Sequence, residues 1–252
     1  MHRVAALFTV LLLAPLCARA DAGAVFDRFG SAFTGALTAD AVWMPALGAA
    51  VAVPFDHRIQ AFSQNHHPLF GTSAHAQAAS DGMKTGLVYA AIVSTVAVPP
   101  PDDEGWLKGK ALMGADFAGV WFANGAVTGA IKNAAGRERP DHSDRASFPS
   151  GHASGAFAMA SVADEQIDLA ALPAPADLAI DAGLYGTAGL TAWARVEGNK
   201  HYASDVLAGA ALGNFVSRFV HGLVRPDRAQ QLTVTAEPLP DHGWRLELSA
   251  GF

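Results

Sequence analysis

Cysteine is all but missing: Cys17 is the only one in 252 residues, so no disulfide staples the fold and no thiolate cluster can hold a metal. Charge is sparse as well, at 16% of the chain, and basic residues are the minority, 17 against 23 acidic for a formal charge of -6. That balance excludes a nucleic-acid partner, which needs a basic stripe, and gives no broad attraction for an anionic membrane. Any affinity for a phosphate must therefore be local. Internal repeats and low-complexity linkers are lacking too, which leaves one domain with a small appendage. Apolar residues are what the chain has in quantity, and a 51% hydrophobic content excludes disorder and demands a buried core.

Residues 1–20 read as a secretory leader. Arg3 supplies the positive start, Val4 to Leu16 the apolar run, and Ala18-Arg19-Ala20 the cleavage site. Leu16, ahead of Cys17, is too large for a lipoprotein site. Cleavage would leave 15 basic residues against 23 acidic and no cysteine, and would send the product across the inner membrane into the periplasm.

Beyond the leader the pattern predicts an all-α fold, a single bundle of about six helices over 21–228. Expected helices run over 41–53, 73–98, 103–135, 150–167, 177–194 and 204–223, with breakers at Pro54, Pro99-Pro100-Pro101, Gly136 and the Pro-rich joint 172–175. Residues 21–40 read as a loose entry and 55–72 as a loop, because Asn65, His66, His67, Pro68 and Gly71 all favour turns. Over 229–252, Leu232 and Val234, then Trp244, Leu246 and Leu248, alternate with polar residues and predict a small β-hairpin. A soluble domain is preferred over a membrane-spanning one: 41–53 is short and carries Pro45, and Asp116 with Asn124 would put polar groups in a span. An integral or peripheral inner-membrane protein is the alternative.

Chemistry concentrates between Lys132 and Asp205. Lys132 is followed after six residues by Arg139-Pro140, then come Pro149-Ser150-Gly151-His152, Arg195, His201 and Asp205. Phosphoryl transfer is mostly positioning and neutralisation of charge on three equatorial oxygens. Three cations serve that purpose, and arginine adds a bidentate fork. Ser150-Gly151-His152 opens a helix, so free N–H groups can face an anion. His201 and Asp205 stand four apart, where the carboxylate could hold the imidazole with its other nitrogen free to attack. His152 could then protonate the leaving oxygen and later activate water.

Taken together these residues resemble the three-part signature of the type 2 phosphatidic acid phosphatase (PAP2) superfamily, which includes bacterial acid phosphatases, membrane lipid phosphatases and vanadium-dependent haloperoxidases. The resemblance runs over roughly residues 110–215 and takes in Tyr202 and the run Asp205 to Gly209. It implies that Lys132, Arg139, Ser150, Gly151 and Arg195 hold the phosphate, that His152 is the general acid, His201 the nucleophile and Asp205 its orienter. It also implies no metal and no cofactor, vanadate as an inhibitor, and a phosphorylated small molecule, phospholipid or prenyl pyrophosphate as substrate. One departure is Ala194, where the family has Ser before the arginine; a lost hydrogen bond there costs about 1 kcal/mol. Two rival readings remain. A haloperoxidase would use vanadate as cofactor and oxidise halide, though that branch has longer chains. A non-catalytic module for phospholipid or phosphoglycan would bind without turnover.

The remaining polar residues have plainer readings. His57, His66, His67 and His75 read as loop and core histidines, Asp116 and Asn124 as partners for buried backbone or a neighbouring helix, and Arg137, two residues before Arg139, as a solvated loop charge in preference to a supplement to the basic cluster. Trp121, Phe122, Phe157 and Trp193 read as core, with a place lining the leaving-group pocket as the alternative for Trp193 beside Arg195.

Overall fold

A computed structural model of the chain describes residues 22–101 and 105–225 and the backbone of 232–238 and 244–250. The expected leader, 1–20, lies outside the described residues. The described helices are α1 (Ala22–Thr38), α2 (Asp40–Ala52), α3 (Asp56–His66), α4 (Ser73–Ala97), α5 (Trp106–Ala135), α6 (Gly151–Ile167), α7 (Ala174–Glu197) and α8 (Ala203–Val224). They form the all-α bundle that the periodicity predicts, with two additions. Residues 22–38 are a full helix rather than a loose entry. Within the expected loop, Asp56–His66 is helical, because its turn-forming residues sit at its end: His67 adopts φ 43 and stops the helix there.

Local signals elsewhere act where the sequence puts them. Thr72 caps α4 by accepting from the His75 N–H at 3.1 Å. Gly136 ends α5 at φ 55. The last helix before the site, α7, runs to Glu197 and so carries Arg195 in its final turn. The backbones of Leu232–Pro238 and Trp244–Ala250 lie antiparallel. Their side chains lie outside the described residues, so the hairpin extension stays an expectation.

α6 is the central helix, with ten residues buried between its neighbours. Its closest partner is α8, and two glycines make that approach feasible: a Cβ on Gly209 would lie 2.6 Å from the Ser150 carbonyl oxygen, and one on Gly213 would lie 2.3 Å from that of Ser154. These contacts bring the N-termini of α6 and α8 to one end of the bundle. Lys132, in the last turn of α5, reaches the same end beside Gly151. Leu87, Val120, Met159, Val162, Leu184 and Val216 form the core below it.

The outside of the bundle is unusually apolar. Trp43, Met44, Leu47 and Val51 on α2, Tyr89, Ile92, Val93 and Val96 on α4, and Trp121 and Phe122 on α5 are 38–72% exposed. Trp121 and Phe122 are therefore not core residues, contrary to the sequence expectation. Asp116 and Asn124 instead turn inward, Asn124 accepting from the Ser154 hydroxyl and Asp116 lying 3.5 Å from the His221 ring. The polar groups that argued against contact with lipid are thus hidden inside, which removes that argument. Among the described residues one helix, Ala203–Val224, is long and apolar enough to cross a membrane, with 56% of it buried in the bundle. The pair Gly23–Thr38 and Asp40–His66, bent by 54°, passes the same test only when taken together.

Candidate active site

Ser150 sets the start of α6. Its side chain accepts from the Ala153 N–H at 3.4 Å as an N-cap, while its own N–H donates to the Asp205 carbonyl at 2.9 Å. The helix start is thereby locked to the start of α8. First-turn N–H groups of α6 lack intrahelical acceptors, so this end presents positive charge to the space beside Lys132. The Lys132 stem lies 3.6 Å from where a Gly151 Cβ would stand.

His201 occupies the loop between α7 and α8 and is 2% exposed. Its Nδ1 lies 2.7 Å from the Ser147 carbonyl oxygen. A carbonyl only accepts, so Nδ1 carries the proton and Nε2 keeps its lone pair. That lone pair faces the Arg139 guanidinium at 3.3 Å. Asp205 does not orient His201 directly, which corrects the expectation drawn from their spacing: its nearest oxygen is 3.9 Å from Nδ1, beyond hydrogen-bond range. Asp205 accepts instead from the Ser147 hydroxyl at 2.5 Å and the Tyr202 N–H at 2.9 Å. The carboxylate thus fixes Ser147, and the Ser147 carbonyl fixes the ring.

Arg137 is no solvated charge. Its guanidinium forks between Asp205 and Asp56, each at 2.7 Å, donates to the Ser204 hydroxyl at 2.8 Å and lies over the Tyr202 ring at 4.4 Å. Asp56, on α3, also accepts from the Ser204 N–H at 2.9 Å. Asp56 and Asp205 are both buried, and the arginine between them is the charge that makes that burial tolerable. A clamp from α3 holds the other side of the loop, where Gln60 bonds Asn199 at 2.6 Å and Gln64 bonds the Glu197 carbonyl at 3.0 Å.

The three cations converge on His201. Burial first, and then the charges of Lys132, Arg139 and Arg195, push its imidazole well below the ordinary value, so it is neutral. Lys132 is itself lowered to about 8, by burial and then by Arg139. Arg139 is steadied by Asp144 at 2.6 Å and the Lys200 carbonyl at 3.2 Å. Arg195 is buried, and its Nε has no partner among the described residues, leaving a donor for a bound anion.

His152 follows on the first turn of α6. Its Nε2 lies 2.7 Å from a carboxylate oxygen of Asp81 on α4. Burial, then Arg195, push its pKa down to about 4, while Asp81 pulls the other way.

The structure therefore gathers Lys132, Arg139, Ser150, Gly151, His152, Arg195, His201 and Asp205 at one end of the bundle, as the sequence reading expects, and changes the part Asp205 plays. Ser147, Asp56 and Asp81 escaped that reading. Asp56 and Asp81 come from helices far upstream and carry no spacing signal, whereas the place of Arg137 two residues before Arg139 is the signal behind its second reading, as part of the basic cluster.

Comparison with known proteins bears on this arrangement. Residues 114–228 match the family described as the PAP2 superfamily. A lipid A 1-phosphatase from Porphyromonas gingivalis is 38% identical over 108 residues, 43% of this chain and 22% of that protein. The chain thus spans about a fifth of the curated relative it matches. Among solved structures, a transmembrane PAP2-type phosphatidylglycerolphosphate phosphatase from Bacillus subtilis overlays 87% of this chain and 93% of its own, at 18% identity and a TM-score of 0.40.

Proposed function

Because the chain belongs to the PAP2 superfamily through residues 114–228, we propose that it is a phosphatase removing the terminal phosphate of a lipid phosphate or diphosphate, by way of a phosphohistidine on His201. The observation that carries this reading is the meeting of three cations around a neutral imidazole whose Nε2 is unprotonated and turned toward Arg139. Lys132, Arg139 and Arg195 hold the equatorial oxygens, helped by the Ser150 hydroxyl and the N–H groups of Gly151 and His152. His201 Nε2 attacks phosphorus in line. As the bond to the leaving oxygen breaks, His152 gives that oxygen a proton. His152 then takes a proton from water, the water oxygen attacks phosphorus, the P–N bond breaks, and phosphate leaves. This scheme calls on no metal. The working unit extends upstream of the family match, since Asp56 and Asp81 both join the site.

A lipid substrate is favoured by the exposed apolar flanks of α2, α4 and α5, a surface that suits a bilayer rather than water. The likeness to a lipid A 1-phosphatase points the same way. The setting is accordingly a membrane, with the polar site end beyond the apolar stretch and level with lipid headgroups. This takes up the alternative that the sequence reading sets second.

The test is phosphate release from phosphatidate, prenyl diphosphates and p-nitrophenyl phosphate in mixed micelles, for the parent and for His201→Ala. Radiolabelled substrate quenched in alkali should leave acid-labile label on the parent alone. Vanadate should inhibit by occupying the phosphate site. Turnover that survives His201→Ala would refute the mechanism, and vanadate-dependent halide oxidation would replace it with the haloperoxidase reading.

A further inference from the structure

Asp81 lies outside the residues matched to the family and 71 residues before the histidine it touches. We propose that Asp81 is the positioning residue of the general acid: it holds Nε2–H of His152, so that the proton handed to the leaving oxygen comes from Nδ1. This rests on the phosphatase reading and deepens it.

The geometry supports the assignment in three ways. First, Nε2 is committed at 2.7 Å to a carboxylate oxygen, whereas Nδ1 has no hydrogen-bond partner among the described residues. A doubly protonated ring therefore has one N–H anchored and one to give. Second, the other charges facing His152, Arg195 from α7 and Lys84 from α4, both repel an imidazolium, and Asp81 opposes them. Without Asp81 the ring would sit among cations with nothing to keep its proton; a bound phosphate adds the remaining negative charge. Third, the Asp81 side chain is 66% exposed while that of His152 is 29% exposed, so the carboxylate anchors the ring from its solvent side. Protons balance across the cycle. Nδ1–H goes to the leaving oxygen, Nδ1 then takes a proton from the attacking water, and Nε2–H stays on Asp81 throughout.

The consequence concerns the leaving group. An alkoxide needs its proton as the P–O bond breaks, whereas p-nitrophenolate departs without one. Asp81→Asn, at an exposed position where folding is not at risk, should lower kcat on phosphatidate about 10- to 100-fold with KM little changed. With p-nitrophenyl phosphate the fall should be below about threefold. In a His152→Ala background the same substitution should add no further loss, and Asp81→Glu should recover part of the activity on phosphatidate. Equal losses on both substrates, an additive loss in the His152→Ala background, or no loss at all would overturn the proposal. Titration of labelled histidine by NMR gives a readout independent of turnover: Asp81→Asn should move the His152 midpoint downward in the phosphate-bound protein, and an unmoved midpoint counts against the proposal. A parent that hydrolyses no phosphate ester would sink the phosphatase reading, and the NMR midpoint would still decide whether Asp81 governs His152.

Discussion

Removing the Arg137 side chain should damage both stability and rate, because one guanidinium serves two buried carboxylates. Asp56 is 2% and Asp205 0% exposed, and each lies 2.7 Å from Arg137. Breaking a buried pair by deleting one partner costs about 3–5 kcal/mol, since the surviving charge is left in a poor solvent. Arg137 is itself 30% exposed, so water would reach the vacated space, and both carboxylates keep other donors, Ser204 for Asp56 and Ser147 for Asp205. The lower end applies, about 3 kcal/mol for Arg137→Ala. For a bundle of this size that is a fall in Tm of about 6–12 °C. Thermal unfolding in detergent micelles, followed by circular dichroism, measures it. Arg137→Lys should lie between, because one ammonium cannot reach both carboxylates as a fork does. Asp56→Asn combined with Arg137→Ala should cost less than the sum, since the amide leaves one fewer orphaned charge. The catalytic effect travels from Asp205 to Ser147 to His201, and a displacement of about 1 Å at the nucleophile should lower kcat about a hundredfold. A variant that melts within about 1 °C of the parent and turns over within about twofold of it would show that the fork supports neither fold nor site.

Three further outcomes are open to measurement. Burial lowers Lys132 to about 8, so its ammonium is present below that pH and lost above it; kcat/KM should fall on the alkaline side of about 8, and Lys132→Arg should move that limb upward. Gly213→Ala would put a methyl 2.3 Å from the Ser154 carbonyl oxygen, and forcing α6 from α8 should cost about 1–3 kcal/mol, seen as a lower Tm. If the apolar flanks of α2, α4 and α5 face lipid, the protein should remain with membranes through a carbonate wash and be released by detergent, whereas recovery in the soluble fraction would refute that placement.

Much of the bundle could be read along the chain because helix ends are local events. Thr72, Ser150, Gly136 and the Pro99 to Pro101 run each act within a few residues of where they stand, and an all-α fold follows from apolar periodicity without knowledge of contacts. The misread segment, 56–66, shows the limit: breakers mark where a helix stops and are silent about whether one precedes them. The eight signature residues were equally legible, since a motif with fixed spacing reports a chemistry that tolerates few alternatives.

Residue order alone could not decide which partners those side chains keep. His201 and Asp205 stand four apart, yet no helix joins them, because α8 begins at Ala203; the Ser147 carbonyl, brought in by the 137–148 loop, takes the hydrogen bond that spacing assigned to the carboxylate. Arg137, Asp56 and Asp81 acquire their roles only when α3 and α4 pack over the site, since a charge 71 or 81 residues from its partner leaves no periodic trace. Which face of α5 meets the surroundings was likewise settled by packing. Asp116 and Asn124 point inward because neighbouring helices offer them partners, and that turns Trp121 and Phe122 outward.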